Sequence, residues 1–384
     1  MSVDRVDVAI LGAGIAGTAA AAALERQGIS VALIARHERH PHEFRAEKMG
    51  AAQMRLLDGF GLGAAARAEA TAFDGVWVHR FGRIVDRASE REYGIDYARL
   101  IDALRRALPP SVRTVTGKAE AIACSADLQT ITLADGRVIQ ARLLVVATGL
   151  ADGIRQQLGI ARDVFSPAHT LAAGFDLETP ISAFPFPSLV WTGEQFGDRV
   201  SYLTLFPLGD AVRANFYVYR KQSEPWTRAF REAPETVLHG LMPGFEGRFG
   251  RIRIAGPVVT RPIDLMRVRG HERRDGVVVV GDAFCTVCPI TGTGIDKALT
   301  DVDQLCHVHI PAWLATPGTG AAKIARFYAD PVKRARDRSA VHASLRARSI
   351  KVDTALPWRI RRFKSETIVR ALYRSPLGRL LPRH

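Results

Sequence analysis

Short apolar runs alternate with stretches of helical period, and glycines mark the junctions. Val8-Ala9-Ile10-Leu11 is apolar throughout and ends in glycine, the pattern of a strand buried on both faces. Thr18 to Arg26 is alanine-rich and apolar almost all round, which predicts a helix packed on a sheet. Gln27-Gly28 stops it, and Ile29 to Ile34 supplies a second, β-branched strand. Gln53 to Leu62 reads as a helix closed by glycine, and Gly75 to Phe81 alternates like a strand with one wet face. Tyr97 to Leu108 carries Leu100, Ile101, Leu104 and Leu108 on one stripe before Pro109-Pro110 ends it. Strands at 112–116 and 118–124 precede a hairpin over 130–139 that turns at Ala134-Asp135-Gly136. Leu143 to Gly149 and Gly276 to Gly281 are further buried strands bounded by glycine. Residues 165–220 alternate repeatedly, which predicts an antiparallel sheet set apart from the parallel one. A helix at about 225–241 and a strand at 251–255 close that region, and a long helix runs to about Val308.

Gly12-Ala13-Gly14-Ile15-Ala16-Gly17 joins the first strand to the first helix. Strand, glycine turn, helix and strand within about thirty residues is the context of a dinucleotide-binding turn. In that reading Gly12 makes the tight turn, Gly14 lets a pyrophosphate approach the backbone, and Gly17 seats the helix on the strand. The helix N-terminus offers free N–H groups and a positive dipole end to the phosphates. The second strand usually ends in an acidic residue that bonds ribose hydroxyls. Here it ends in Ala35, followed by Arg36. A ribose contact is then sought at Glu38, and Arg36 is a candidate for the adenine or a phosphate. The turn alone leaves FAD and NAD(P) both open.

The length of 384 residues suits two domains, and 47% hydrophobic with 24% charged residues indicates a soluble globular chain. No apolar run approaches a membrane span, and the start lacks a signal-peptide core, so a cytoplasmic location is expected. Cys124, Cys285, Cys288 and Cys306 are too few for a disulfide framework. Cys285 and Cys288 form a CxxC without a second ligand pair, so no metal is expected. The net charge of +14 is uneven: Pro331 to His384 holds 15 Lys/Arg and 3 Asp/Glu, a net of +12. In that segment Trp358, Ile360, Phe363, Ile368, Val369 and Leu372 fall near one face of a helix bearing Arg359, Arg361, Arg362, Lys364 and Arg370. Such a helix suits an anionic membrane surface or an acidic carrier protein, or packs on the body with its charges in water. Nucleic acid is not expected, because no recognition motif accompanies the charge.

The run from Gly281 and Asp282 through Ala283-Phe284-Cys285-Thr286-Val287-Cys288 to Pro289, Gly292, Thr293, Gly294 and Asp296 resembles the FAD-dependent monooxygenases of the para-hydroxybenzoate hydroxylase-like superfamily. The resemblance spans most of residues 5–330. It implies that Asp282 accepts a bond from a ribityl hydroxyl and that Pro289 lies beside the reacting edge of the isoalloxazine. Gly292, Thr293 and Gly294 would aim N–H groups at the N1/C2=O edge, where reduced flavin carries negative charge. Arg45 takes the place of an arginine that contacts FAD. Three positions depart from the family: Asp296 replaces an asparagine, Thr148 replaces an aspartate in Ala147 to Arg155, and Tyr97 replaces an arginine. The implied fold class is α/β, a Rossmann-type FAD-binding domain with an inserted antiparallel-sheet substrate domain and a basic helical C-terminal segment. The implied boundaries are 1–74, 95–164 and 272–330 for the first, 75–94 and 165–271 for the second, and 331–384 for the third. There is one glycine turn, so NADPH or NADH would bind only transiently as reductant, or electrons would come from a partner.

The activity implied is hydroxylation of a small aromatic or polyketide/lipid-like substrate with O2, through a flavin C4a-hydroperoxide that must be kept from water. Trp191, Phe206, Phe216 and Tyr217 are lining candidates, of which no more than two are expected at the pocket. Lys48, three residues after Arg45, would face the ring or be a solvated lysine. His79, His169 and His239 are weak candidates for a base, since a lone histidine is more often structural. The alternatives are a polyprenyl (geranylgeranyl-type) reductase, which would suit peripheral membrane binding, a halogenase, whose WxWxIP signature is absent, and a non-catalytic flavin-binding protein.

Overall fold

The computed structural model describes residues 3–80 and 83–374. Phe81 and residues 375–384 lie outside these, as do the side chains of Ile368, Val369, Arg370 and Leu372 in the expected C-terminal stripe.

Strand Val3–Leu11 pairs in parallel with Val31–Ala35 on one side and Val138–Val146 on the other. Arg113–Thr116 extends the sheet beyond Val31–Ala35, and Val277–Val279 adds in parallel to the end of Val138–Val146. Gln129–Leu133 and Ala119–Cys124 complete it antiparallel. In this register Leu11 is opposite Val146, and Val146 is opposite Val279. Three parallel strands therefore end level, and the turns at Gly12, Ala147 and Gly281 leave from one edge. The carboxyl edge of a parallel sheet is where ligands of such folds bind.

The second sheet runs in the order 254–269, 161–177, 211–218, 200–208, 189–192, 71–80, 83–96 and 46–50. One face of its central strands, with Trp191, Leu203, Leu205 and Phe216, packs under three short helices through Phe230, Leu238 and Phe245. The other face carries Tyr202, Thr204 and Phe206, paired across to Tyr217, Asn215 and Arg213. Lys48, Glu92, Gly94 and Phe73 share a face at the far end of the sheet. The sheet curls so that this end meets Phe206: Phe73 packs on Phe206, and a Cβ at Gly94 would stand 3.0 Å from that ring.

Several boundaries differ from the sequence reading. Residues 46–50, 71–74 and 161–164 were grouped there with the FAD-binding part, yet they are strands of the second sheet. Backbone pairing, which leaves little trace in hydrophobic pattern, decides their place. The helix expected at 225–241 is two helices with a third after them, because Pro234 and Pro243 each open a new one. The strand expected at 251–255 begins at Ile254 and runs to Arg269 along Ala161–Leu177.

Helix Pro331–Val352 packs on the body through Lys333, Asp337, Ala340 and Ser344, a buried stripe that is mostly polar. Helix Leu356–Arg374 follows. No helix among the described residues is long and apolar enough to cross a membrane.

Candidate flavin site at the carboxyl edge

Steric demand separates the glycines of the first turn. A Cβ on Gly12, whose φ is +103°, would collide with the Ala147 carbonyl oxygen, and one on Gly17 would collide with the Gly12 carbonyl oxygen. Both are required by the protein's own packing. A Cβ on Gly14 would meet only the Tyr97 hydroxyl, at 3.6 Å. Nothing in the chain requires glycine there, so the position suits the close approach of a ligand. The helix it opens, Ile15–Glu25, has no side-chain cap and no acidic residue in its first turn. Arg105 holds the turn from outside: its Nε donates to the Ala13 carbonyl at 2.8 Å, and its Nη1 to the His37 and Glu38 carbonyls at 3.2 Å.

A second loop converges on the same place. Gly281, at φ +62°, brings the backbone against Ala16 and Ala298, with a Cβ 3.4 and 3.6 Å away. Gly292 is left-handed at φ +64° with open space around its Cα, and a Cβ on Gly294 would meet only Val287, at 3.9 Å. Helix Gly294–Gln304 likewise starts without a side-chain cap. Two uncapped helix N-termini and three open glycines fit the phosphates and ring edge of FAD. Asp282 is half-buried at the start of this loop, and burial pushes its carboxyl above the ordinary range against the pull of Arg45. The Arg45 guanidinium lies 3.9 Å over the Tyr97 ring and pairs with Glu47 at 2.6 Å. Gly12, Gly14, Gly17, Arg45, Asp282, Gly292 and Gly294 therefore gather at one edge. Thr293 joins them through a 2.8 Å hydroxyl contact with Thr291, and Pro289 opens the turn before them. Arg36 is exposed on the loop after Ala35, which leaves the same edge because Ile34 is level with Leu11.

The departures have local structure. Thr148 has a buried hydroxyl without a partner. Asp296 accepts from Gln53 at 3.1 Å and keeps its other oxygen buried and unpartnered. Arg155 is buried and pairs with Asp152, leaving Nε and one terminal nitrogen unpartnered. Cys285 and Cys288 are buried, and burial raises both thiols, Cys288 to about 12. Neither is a ready thiolate.

Sequence reasoning missed the support beneath the loop. Lys297, Asp301, Lys333 and Asp337 form a buried quartet: Asp301 lies 3.2 Å from Lys297 and 2.9 Å from Lys333, and Asp337 lies 3.4 and 3.1 Å from the same lysines. Burial opposes charge on Asp301, but the two lysines outweigh it and hold the carboxyl below its ordinary range. Asp301 also accepts the Gly281 N–H at 3.1 Å. The second sheet reaches the loop through Tyr202, whose hydroxyl donates to the Ile290 carbonyl at 3.0 Å.

Of the aromatic lining candidates, Trp191 and Phe216 belong to the helix-covered core, while Phe206 and Tyr217 lie on the curled face. Lys48 lies on the far end of that curled face, paired with Glu92 at 2.6 Å. His79 stacks on Trp191 at 3.3 Å in the covered core, and His239 bonds Glu246 among the short helices. Neither can serve as a base at the loop. His169 sits near it.

Residues 5–324 match a family model described as FAD binding domain. The 3-demethoxyubiquinol 3-hydroxylase of Escherichia coli (strain K12) is 27% identical over 334 residues, covering 81% of each chain. The p-nitrophenol 4-monooxygenase PnpA from Pseudomonas putida DLL-E4 superposes with a TM-score of 0.74 at 14% identity, over 98% of this chain and 95% of that one. HpxO from Klebsiella pneumoniae, solved with FAD and uric acid, gives 0.70 at 18% identity over 95% of each.

Proposed function

This FAD-dependent monooxygenase belongs to the FAD-binding-domain family, and we propose that it hydroxylates a small, electron-rich substrate that is aromatic or lipid-like. The observation that carries this is the open cradle of Gly14, Gly292 and Gly294 between two uncapped helix ends, facing the curled sheet. Gly14 and the first helix end would take the pyrophosphate, Asp282 the ribityl chain, and Gly292 to Gly294 the ring edge. FAD, when bound and reduced by NADPH or NADH, supplies the electrons that activate O2. One oxygen atom enters the substrate and the other leaves as water, for two electrons from the nicotinamide. The chain's own task is to seat the substrate and exclude water. Phe73 and Phe206 close the curled face, Tyr202 fixes the loop beside Pro289, and Lys48 with Glu92 sets a paired charge at its far end.

The substrate reading is supported by the similarity to a 3-demethoxyubiquinol 3-hydroxylase and to the fold of a p-nitrophenol 4-monooxygenase. Helix Leu356–Arg374 supports work at an anionic membrane surface rather than on an acidic carrier. Leu356, Ile360 and Phe363 form one stripe, 65, 45 and 69% exposed. Arg359 and Lys364 flank that stripe. Arg362 faces the other way, 3.9 Å over the Phe196 ring and donating to the Ile350 carbonyl at 3.1 Å.

The test is the absorption spectrum of the purified protein, followed anaerobically as NADPH or NADH is added. Expected is a flavin spectrum that bleaches, and oxygen uptake that rises with phenolic or quinol substrates. Absence of flavin after incubation with FAD defeats the reading. Co-sedimentation with phosphatidylglycerol vesicles, lost when residues 356–384 are removed, tests the surface.

A further inference from the structure

We infer that the turn after Trp313 is a monovalent-cation site filled by the chain's own Lys323 ammonium, and that it takes potassium or ammonium from solution once that side chain is removed. Neither part depends on flavin chemistry.

Lys323 lies in helix Ala321–Ala329 and is half-buried. Its Nζ lies 2.9 Å from the Trp313 carbonyl oxygen, 3.2 Å from those of Thr316 and Pro317, and 2.6 Å from that of Gly318. The Thr316 hydroxyl makes a fifth oxygen, at 2.7 Å. A lysine ammonium has only three N–H groups. Five oxygens at these distances therefore surround a compact charge, beyond what separate donors could pair. All five are neutral, and no carboxylate lies within ion-pair distance of Nζ among the described residues. Such a set suits a monovalent cation, since calcium and magnesium draw carboxylates. Rings of carbonyl oxygens replace the hydration shell of potassium in the same way, and potassium is close to ammonium in size. Sodium is smaller and would leave some of the five out of reach.

The backbone is shaped to turn these oxygens inward. Helix Ile310–Leu314 ends at the turn, where carbonyls carry partial negative charge. Pro317 brings no N–H, and Gly318, left-handed at φ +70°, carries the chain round the ammonium. The Leu314 carbonyl is taken by a second cation, Arg142, whose Nη2 donates to it at 2.7 Å. Thr316 and Pro317 are exposed on the outer side, so an ion can enter from water. The turn also has a task in the fold. Thr319, buried next to it, accepts the Gly276 N–H at 2.7 Å, and its hydroxyl donates to the Arg142 carbonyl at 2.8 Å. Gly276 precedes strand Val277–Val279, whose other end leads into Gly281 and Asp282. The cation thus steadies the amino end of the strand that delivers the flavin loop.

The test is thermal melting of the full chain in potassium, ammonium, sodium and tetramethylammonium chloride at equal ionic strength. Lys323→Ala empties the site. It should melt several degrees below the wild type in the tetramethylammonium salt and recover most of that loss in potassium or ammonium, less in sodium. The recovery should grow with cation concentration, as for a ligand that binds the folded state. The wild type, whose site is filled, should not distinguish potassium from sodium. Lys323→Met, whose methyl end takes the place of the ammonium, should lose stability and recover none of it. If Lys323→Ala folds in none of the salts, Lys323→Gln, whose amide adds an oxygen ligand, should fold better with potassium than with sodium. Stability that no cation restores in either variant, equal recovery in all four salts, or the same recovery for Lys323→Met would overturn the site.

Discussion

Lys333 Nζ lies 2.9 Å from Asp301, the carboxylate that also takes the backbone N–H of Gly281. A side chain from the C-terminal helix thus neutralises the group that holds the glycine of the flavin loop. Its ammonium also lies 3.9 Å over the Phe284 ring. Lys333→Met leaves two buried carboxylates facing one lysine, so it should cost about 3–5 kcal/mol of stability. Replacing Lys333 by Met and Asp337 by Leu together leaves the Lys297–Asp301 pair neutral and should cost less. Urea unfolding of both variants checks this order, and a double variant weaker than the single one would contradict it.

The glycines sort by what they touch. Gly12→Ala and Gly17→Ala force a Cβ into a carbonyl oxygen, so both should destabilise the apoprotein. Gly14→Ala meets open space and should leave apoprotein stability within about 0.5 kcal/mol, yet weaken FAD at least about 10-fold by blocking the pyrophosphate. Thermal melts of the apoprotein and flavin fluorescence titrations separate the two effects.

Acid should destabilise the fold through buried histidines. Burial, with Arg248 near His79 and Arg348 near His169, lowers both imidazoles to about 4. Burial does the same at His271, against Glu272 and with Lys333. Folded values below the ordinary 6.5 mean that the unfolded chain binds more protons between these limits. Stability is then complete above about pH 6.5 and falls as pH drops toward 4, by up to about 1.4 kcal/mol per unit for each group. Denaturant curves at about pH 7 and about pH 5 should differ accordingly; equal unfolding free energies would refute the assignment.

His79 has two buried nitrogens without partners and a ring stacked on Trp191. His79→Phe keeps the stack and removes the unsatisfied polar atoms. It should raise stability by about 1 kcal/mol and flatten the acid dependence, read from the same denaturant curves.

The glycine turns, the buried strands and the Asp282 loop were legible because tight turns, close approach of a ligand and burial on both faces each narrow the residue types allowed. The helix over Tyr97–Arg106 was legible from its stripe. The quartet was not. Lys297, Asp301, Lys333 and Asp337 look like ordinary surface charges in sequence, and only pairing across two helices lets them be buried. The same disguise hid which side of helix Pro331–Val352 packs inward, since its stripe of Lys333, Asp337 and Ser344 reads as an outer face. No more than two of the four aromatic candidates are expected at the pocket, and Trp191 and Phe216 are the two on the covered face; which two was not legible, because strand alternation marks two faces without saying which one helices cover. Arg105 was passed over because its target is backbone carbonyls, which no side-chain pattern records.

Asp301 and Lys333 join a loop near residue 281 to a helix that begins at Pro331, and Ser344 adds a second tie at Cys288. During synthesis the glycine turn at residue 12 exists long before the part that completes the site opposite it. A nascent or truncated chain ending near residue 330 would hold a nucleotide turn and a loop with a buried aspartate short of one cation. Docking of helix Pro331–Val352 would therefore complete the support under the flavin loop, so the grip on flavin should tighten when that helix arrives.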